Sequence, residues 1–403
     1  VTTRQKNAGV LVAIVLAAVA IAVSSGRRGA GGGGGLGGGG GRVSAFDAVP
    51  EDTFLIAALD TRELRSSALA APLASIASRI GGLRGAEATC GFDPLARLEE
   101  LVVAVPEAGD SGDFGVVMRA AGSRDELADC ARKVIEARGG EPVVAREDVR
   151  DGAREASRTR VSDRSVAGAG RPELVFDDRG RVYLGRGAWL AAMLEAAAGA
   201  RPSLGAGSPH ADLRRALGQA RALSVTAILP QPLRDRLRGE MADEAPAGDA
   251  GDAAGARNAA MAGVLGVKAA AIGVSGDDHG ATELRAELRC ETERDCDAVK
   301  RLLEKKKDGW SKDATLRLVG LGALVDGLAF APRGDVLVLT TRAPSDDAAR
   351  LVERLLDLRF PKVDAHPPPP RATAPLPPPP APAADEVIRP KAKGSLDGRD
   401  GGR

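Results

Sequence analysis

Phe114–Gly139, FGVVMRAAGSRDELADCARKVIEARG, reads as a strand, a helix cap, an amphipathic helix and a glycine stop. The run FGVVMRA is apolar and partly β-branched, as a half-buried strand requires. Ser123 followed by Glu126 has the spacing of a capping box, and Gly139 supplies the helix end. Leu284–Gly309, LRAELRCETERDCDAVKRLLEKKKDG, repeats this order with Thr292 and Asp295 as the box and Gly309 as the stop. The same punctuation twice in one chain indicates an internal duplication. Duplication speaks to architecture and says little about chemistry.

Working outward, Thr53–Asp60 (TFLIAALD) opens one unit and Ala222–Leu229 (ALSVTAIL) the other, both as short apolar strands. Asp60 with Glu63 caps an expected helix over Arg62–Ile80, and a second helix is expected near Pro232–Met241. Hairpins follow: Leu101–Val105 with Asp113–Arg119, and Lys268–Val274 with Thr282–Arg289, through the turns EAGDSG and SGDDHG. After the central helices, closing strands include Val182–Gly185 and Val336–Leu339, and final helices span Trp189–Ala198 and Ser345–Leu358. The polar segments Val149–Gly170 and Ala242–Arg257 read as surface loops inserted into the plan. The expected fold class is α+β: two tandem related units, residues 47–200 and 221–360, each a mostly antiparallel sheet with helices on one face. A linking helix near Ala211–Ala220, within residues 201–220, joins them.

The ends of the chain are of a different kind. Arg4 and Lys6, in an n-region of residues 1–7, precede the uncharged apolar run Ala8–Val23. Sixteen helical residues rise about 24 Å, and Ser24 and Ser25 extend the run toward the roughly 30 Å of a bilayer core. Residues 8–25 therefore read as a transmembrane signal anchor, with a cleaved signal peptide as the alternative because Ala18-Val19-Ala20 and Ala20-Ile21-Ala22 fit a small-x-small cleavage pattern. Residues 26–46 are a glycine-rich linker, and residues 361–403 a proline-rich tail of polyproline II character without a core. The glycine tract contains G-x-G-x-x-G trivially; no strand precedes it, so it does not read as a phosphate loop.

Composition narrows the function classes. Lys+Arg of 56 against Asp+Glu of 55 leaves a net charge of +1, which argues against a nucleic-acid partner. Aromatic content of 2% argues against base-stacking platforms and sugar-binding clefts. The four cysteines, Cys90, Cys130, Cys290 and Cys296, form an even, small set that in an exported protein points to two disulfides. Of three connectivities, the local one is expected: Cys290 at a strand end with Cys296 in the next helix, and Cys90 with Cys130. Buried free thiols are the alternative. No CxxC motif or close histidine pair supplies a zinc site.

The three histidines give little. His210 sits in a Ser-Pro-His segment at a helix start, and His366 opens the proline tail. His279, within Gly276-Asp277-Asp278-His279-Gly280, has some metal-ligand character, but its neighbours diverge around a tight turn. Arg333-Gly334-Asp335 matches a cell-adhesion tripeptide and reads more simply as turn chemistry; Lys305-Lys306-Lys307 offsets a helix dipole. No catalytic, cofactor-binding or metal residue is assigned.

The ectodomain opens with Val49-Pro50-Glu51-Asp52-Thr53-Phe54-Leu55. This Val-Pro-x-Asp-Thr-apolar motif, just beyond an N-terminal anchor, resembles a family of uncharacterised bacterial membrane-anchored proteins built on a domain of unknown function. The resemblance implies a single-pass protein of the bacterial cell membrane with its ectodomain in the periplasm or another extracytoplasmic space, and no site. The resulting expectation is a non-enzymatic envelope binding or scaffold module without cofactor, touching the inner membrane through its N-terminal segment and possessing an envelope-protein partner. The alternative is a carrier or receptor for an apolar ligand held between helices and sheet; a hydrolase ranks below both.

Overall fold

The computed structural model describes residues 44–359, apart from 68, 71–84, 95, 107–113, 152–153, 167–170, 206, 219–220, 244–262, 277–279 and 319. The expected anchor, most of the glycine linker, the proline tail, the hairpin turn EAGDSG, the tip of the turn SGDDHG (residues 277–279, with His279), His366 and the greater part of the Ala242–Arg257 insert lie outside the described residues. Among the described residues no helix is long and apolar enough to cross a membrane.

A mixed α+β architecture is built on one large antiparallel sheet. Its strands are β1 (Thr53–Asp60), β2 (Leu98–Pro106), β3 (Gly115–Ala120), β4 (Pro142–Asp151), β5 (Arg154–Asp163), β6 (Glu173–Asp177), β7 (Arg181–Gly185), β8 (Leu223–Ile228), β9 (Val267–Gly276), β10 (Ala281–Cys290), β11 (Ala329–Arg333) and β12 (Val336–Pro344). The helices are α1 (Thr61–Ser66), α2 (Ala86–Cys90), α3 (Arg124–Ala137), α4 (Gly187–Ala197), α5 (Pro209–Ala216), α6 (Gln231–Asp243), α7 (Glu293–Trp310), α8 (Ala314–Leu318), α9 (Gly322–Asp326) and α10 (Ser345–Arg359), preceded by a 3-10 turn at Ala45–Ala48.

The spatial order is β11-β12-β10-β9-β8-β1-β2-β3-β7-β6-β5-β4, twelve strands in one sheet. Two separate sheets were expected. Instead β1 and β8 pair antiparallel, Ala57 opposite Val225 and Leu59 opposite Leu223, and fuse the two halves. The reason lies in the composition of these opening strands. Both are short and apolar, and either one left as an edge would expose a row of unpaired backbone groups. Pairing them removes both edges at once.

Helices cover both faces of the sheet, where one covered face was expected. In β1 the alternation of side chains sends Ile56 and Ala58 to one face and Ala57 and Leu59 to the other. The first face packs against the 3-10 turn and α4 through Phe46, Trp189, Leu190 and Met193. On the second, Ala57 and Leu59 join Leu64 of α1 and Ala348 of α10. Leu127 of α3 packs on Val161, Phe176 and Val182, and Val299 of α7 on Val267 and Leu337. A sheet centre buried on both sides explains why TFLIAALD and LVVAV are continuous apolar runs instead of alternating ones. The two closing helices, α4 and α10, sit on opposite faces, so the halves differ in their last step.

Caps appear where the side chains dictate them. The Asp60 carboxylate accepts the amides of Arg62 and Glu63, and Ser123 accepts that of Glu126. Thr292 and Asp295 complete a reciprocal box. In α3 the Glu126 carboxylate turns away from its cap and pairs with Arg97 at 2.7 Å. This interaction holds the Glu126 carboxyl below the usual range.

Val149–Gly170, expected as a loop, contains most of the β4–β5 hairpin. Its charged residues mask a strand alternation: Thr159 and Val161 turn to the core beneath α3, while Arg160 pairs with Glu147 at 2.8 Å and Glu173 at 3.0 Å. Cross-strand opposite charges of this kind support a pleated surface as apolar pairs do.

Candidate functional site

Two disulfides staple the central helices. Cys90, the last residue of α2, reaches Cys130 in α3 with 4.8 Å between Cα atoms. Gly91, at φ 77°, takes the left-handed conformation that ends α2 immediately after that cysteine. Cys290, closing β10, bonds Cys296 in the first turns of α7, with Cα atoms 5.6 Å apart. Both cysteines of that second pair are fully buried. No cysteine among the described residues is free.

The residues singled out for possible chemistry are dispersed. Among the described residues no group of His, Cys, Asp and Glu could hold a metal ion. Arg333-Gly334-Asp335 forms the tight turn between β11 and β12, with Gly334 at φ 63° and Asp335 held by Lys268 at 3.0 Å. That ion pair keeps the Asp335 carboxyl below its ordinary range. Lys307 donates to the carbonyl of Leu328 at 2.6 Å and so ties α7 to the strand beyond it. Trp189 is buried in the core, whereas Trp310 is 39% exposed.

His210 has a larger part than a helix start suggests. Ser208 caps α5, accepting the Ala211 amide, and Pro209 occupies the first turn. The buried His210 ring then bridges the seam: Nε2 lies 2.8 Å from the Thr53 carbonyl and Nδ1 2.8 Å from the Thr226 hydroxyl. A carbonyl only accepts, so Nε2 carries the proton and Nδ1 accepts from Thr226. Burial holds this imidazole below the usual histidine range; the Thr53 carbonyl acts in the opposite sense and nearby Arg214 reinforces the shift. A neutral histidine thereby joins the start of β1, the middle of β8 and α5.

Beside it, across the β1–β8 seam, lies a groove of ≈ 620 Å³. The 3-10 turn and α5 form its walls with Phe46 and Arg214, and Ala58, Glu100 and Ser224 belong to its floor. The size falls within the usual range of small-molecule sites. The Arg214 guanidinium stacks on the Phe46 ring, 3.4 Å from its centroid. Burial lowers the Arg214 pKa, with Glu100 pulling the other way. Glu100 itself is engaged by the Ser44 hydroxyl at 3.0 Å and the Ala45 amide at 2.7 Å. Arg215 pairs with Asp212 at 2.8 Å and Arg221 with Glu283 at 3.4 Å. Among the described residues Arg214 has no carboxylate within 4.0 Å. The Ser224 hydroxyl, on a residue 8% exposed, has no hydrogen-bond partner among them either. No motif in the sequence announces this groove: its residues come from four separate segments, brought together only by the seam.

A second polar cluster lies inside the first half. Asp177 Oδ1 accepts the amides of Arg179 and Arg181, each at 2.9 Å, and Oδ2 accepts Arg181 Nε at 2.7 Å and the Tyr183 hydroxyl at 2.9 Å. Burial, with the Asp177 charge second, pushes the Tyr183 phenol well above its ordinary pKa. With Arg181 2% exposed and Tyr183 fully buried, the cluster stiffens the β6–β7 turn and offers no access to a ligand.

No protein-family model matches the chain, so the family resemblance of its opening motif has no match behind it. No curated protein matches it either. Among solved structures, crystal form I of TP0453 aligns over 78% of this chain and 98% of that one, at 9% identity and a TM-score of 0.37.

Proposed function

We propose that this chain is a non-enzymatic binding or scaffold module of the bacterial cell envelope, tethered to the inner membrane by residues 8–25 and built from two related halves. The observation that supports the location best is the pair of disulfides, Cys90–Cys130 and Cys290–Cys296, since such bonds persist in oxidising compartments and are rare in the cytosol. The apolar run Ala8–Val23, behind Arg4 and Lys6, fits the same location. For the related halves, the support is the strand order, which runs outward from β1 and β8 through β2–β3 on one side and β9–β10 on the other. The opposite placement of α4 and α10 limits that relation to the shared core of the units.

A ligand-carrier reading is favoured by the groove over the seam. A hydrolytic reading gains nothing from it, because both ring nitrogens of His210 are engaged by Thr53 and Thr226. The test is fractionation of the full chain expressed in a bacterial host. It should sediment with membranes, resist alkaline extraction and give a non-reducing mass map with both disulfides; deleting residues 1–28 should release it. Four free thiols in the native chain would overturn the extracytoplasmic assignment. A mature N-terminus near Ile21 or Val23 would replace the anchor with a cleaved signal peptide.

A further inference from the structure

The geometry points to the groove between Phe46 and α5 as a binding site for a compact, water-soluble organic monocarboxylate, held at its carboxylate by Arg214 and Ser224. This deepens the binding-module reading and rests on it. Three observations converge. First, Arg214 is a half-buried cation whose neighbours on α5 and beyond, Arg215 and Arg221, already have Asp212 and Glu283 as partners, while it has none within 4.0 Å among the described residues. One uncommitted guanidinium calls for one negative charge, and its forked donors match a carboxylate in two-point contact. Second, the hydroxyl of Ser224, on the floor of the same groove, supplies a further donor. A hydroxyl with no protein partner is free to donate to a ligand oxygen that enters the groove. Third, Phe46 fixes the guanidinium by stacking, so little side-chain freedom remains to be lost when a ligand arrives.

The remaining lining sets the body of the ligand. Ala58, Ala211 and the Phe46 ring are apolar, but Asp60 and Glu100 interrupt them. A long acyl chain would have to lie across those carboxylates, and a phosphate dianion would meet Glu100 with its second charge. A short branched or aromatic acid avoids both penalties.

The test uses the full chain in nanodiscs of neutral lipid, with blank discs subtracted, titrated calorimetrically with acetate, 1-naphthoate, inorganic phosphate and, in the bilayer, oleate. Naphthoate should bind saturably and at least tenfold more tightly than acetate, since each buried CH2-equivalent contributes about fourfold. It should also bind at least tenfold more tightly than phosphate, and oleate should not displace it. Arg214→Gln should weaken naphthoate at least tenfold and Ser224→Ala about threefold, magnitudes expected for one charged and one neutral hydrogen bond. Glu100→Gln, which keeps an acceptor for Ser44 and Ala45 but removes the opposing charge, should tighten binding, a gain that misfolding cannot mimic. No saturable heat with naphthoate, equal binding of phosphate, displacement by oleate, or indifference to Arg214→Gln would each overturn the site. None of those results touches the envelope assignment, which stands on the disulfides. Conversion of a bound ester or acid to product would overturn the non-enzymatic reading and leave the site standing.

Discussion

Arg181 and Arg214 are both withdrawn from solvent, and they are solved by opposite means. Arg181 sits against Asp177 in a sealed cluster that also engages the Tyr183 hydroxyl. Arg214 rests on a ring face, beside a groove, and the Glu100 carboxylate whose charge acts on it is already held by Ser44 and Ala45. The first arrangement compensates a buried charge internally and acts as a strut. The second leaves hydrogen-bonding capacity facing a space large enough for a ligand. Burial alone therefore does not mark a functional arginine; what distinguishes the two is where the compensating charge comes from.

That contrast can be broken by mutation. Asp177→Ala strands a buried guanidinium and should cost about 3–5 kcal/mol, the usual penalty for removing one partner of a buried pair, read as a lowered urea midpoint. If Asp177→Ala instead leaves the midpoint unchanged, the cluster is not a strut. The disulfides sharpen the comparison of the two halves. Cys90 and Cys130 are 40 residues apart and Cys290 and Cys296 only 6. In the chain-entropy account, removing the first pair by alanine substitution should cost about 4 kcal/mol and the second about 2 kcal/mol. Equal losses would mean that local packing around the buried Cys290–Cys296 bond outweighs loop closure.

A smaller effect is expected from His210. Its folded-state pKa lies below that of the unfolded chain, so the unfolded state takes up the proton first as pH falls. Stability should therefore be fully present above the unfolded value of about 6.5, decline as pH drops below it, and level off once the folded form also protonates. Thermal unfolding at stepped pH should show this decline, and His210→Gln should flatten it. The smallest change is predicted for Arg214→Met. Loss of the stacking contact and relief of a buried, uncompensated cation oppose one another, leaving stability within about 1 kcal/mol of the parent. A loss as large as that of Asp177→Ala would place Arg214 among the struts.

Much of the local structure was legible in the residues. Asp60, Ser123 and Thr292 cap the helices their side chains predicted, because a cap is a contact between neighbours in sequence. TFLIAALD forms β1 over its full length. The pairing of Cys290 with Cys296 was within reach for the same reason of proximity. The β4–β5 hairpin was missed since ten residues of REASRTRVSD carry their alternation in Thr159 and Val161, and the charges around them imitate a loop. The groove was missed entirely: Phe46, Glu100, Arg214 and Ser224 have no common motif and no spacing that relates them.

What the sequence determined by itself, then, is many of the elements, the caps of α1, α3 and α7, and the local cysteine pairing; of the two glycine stops, Gly139 follows the end of α3, whereas α7 runs through Gly309 to Trp310. These depend on backbone preferences and contacts within a few residues. Only the tertiary structure decided that β1 and β8 join into one sheet, which helix covers which face, and that Arg214 and Ser224 line one groove. Those outcomes depend on burying two apolar strands against each other across more than 150 residues of intervening chain. That gain is collective, set by the whole surface removed from water, and no single segment encodes it.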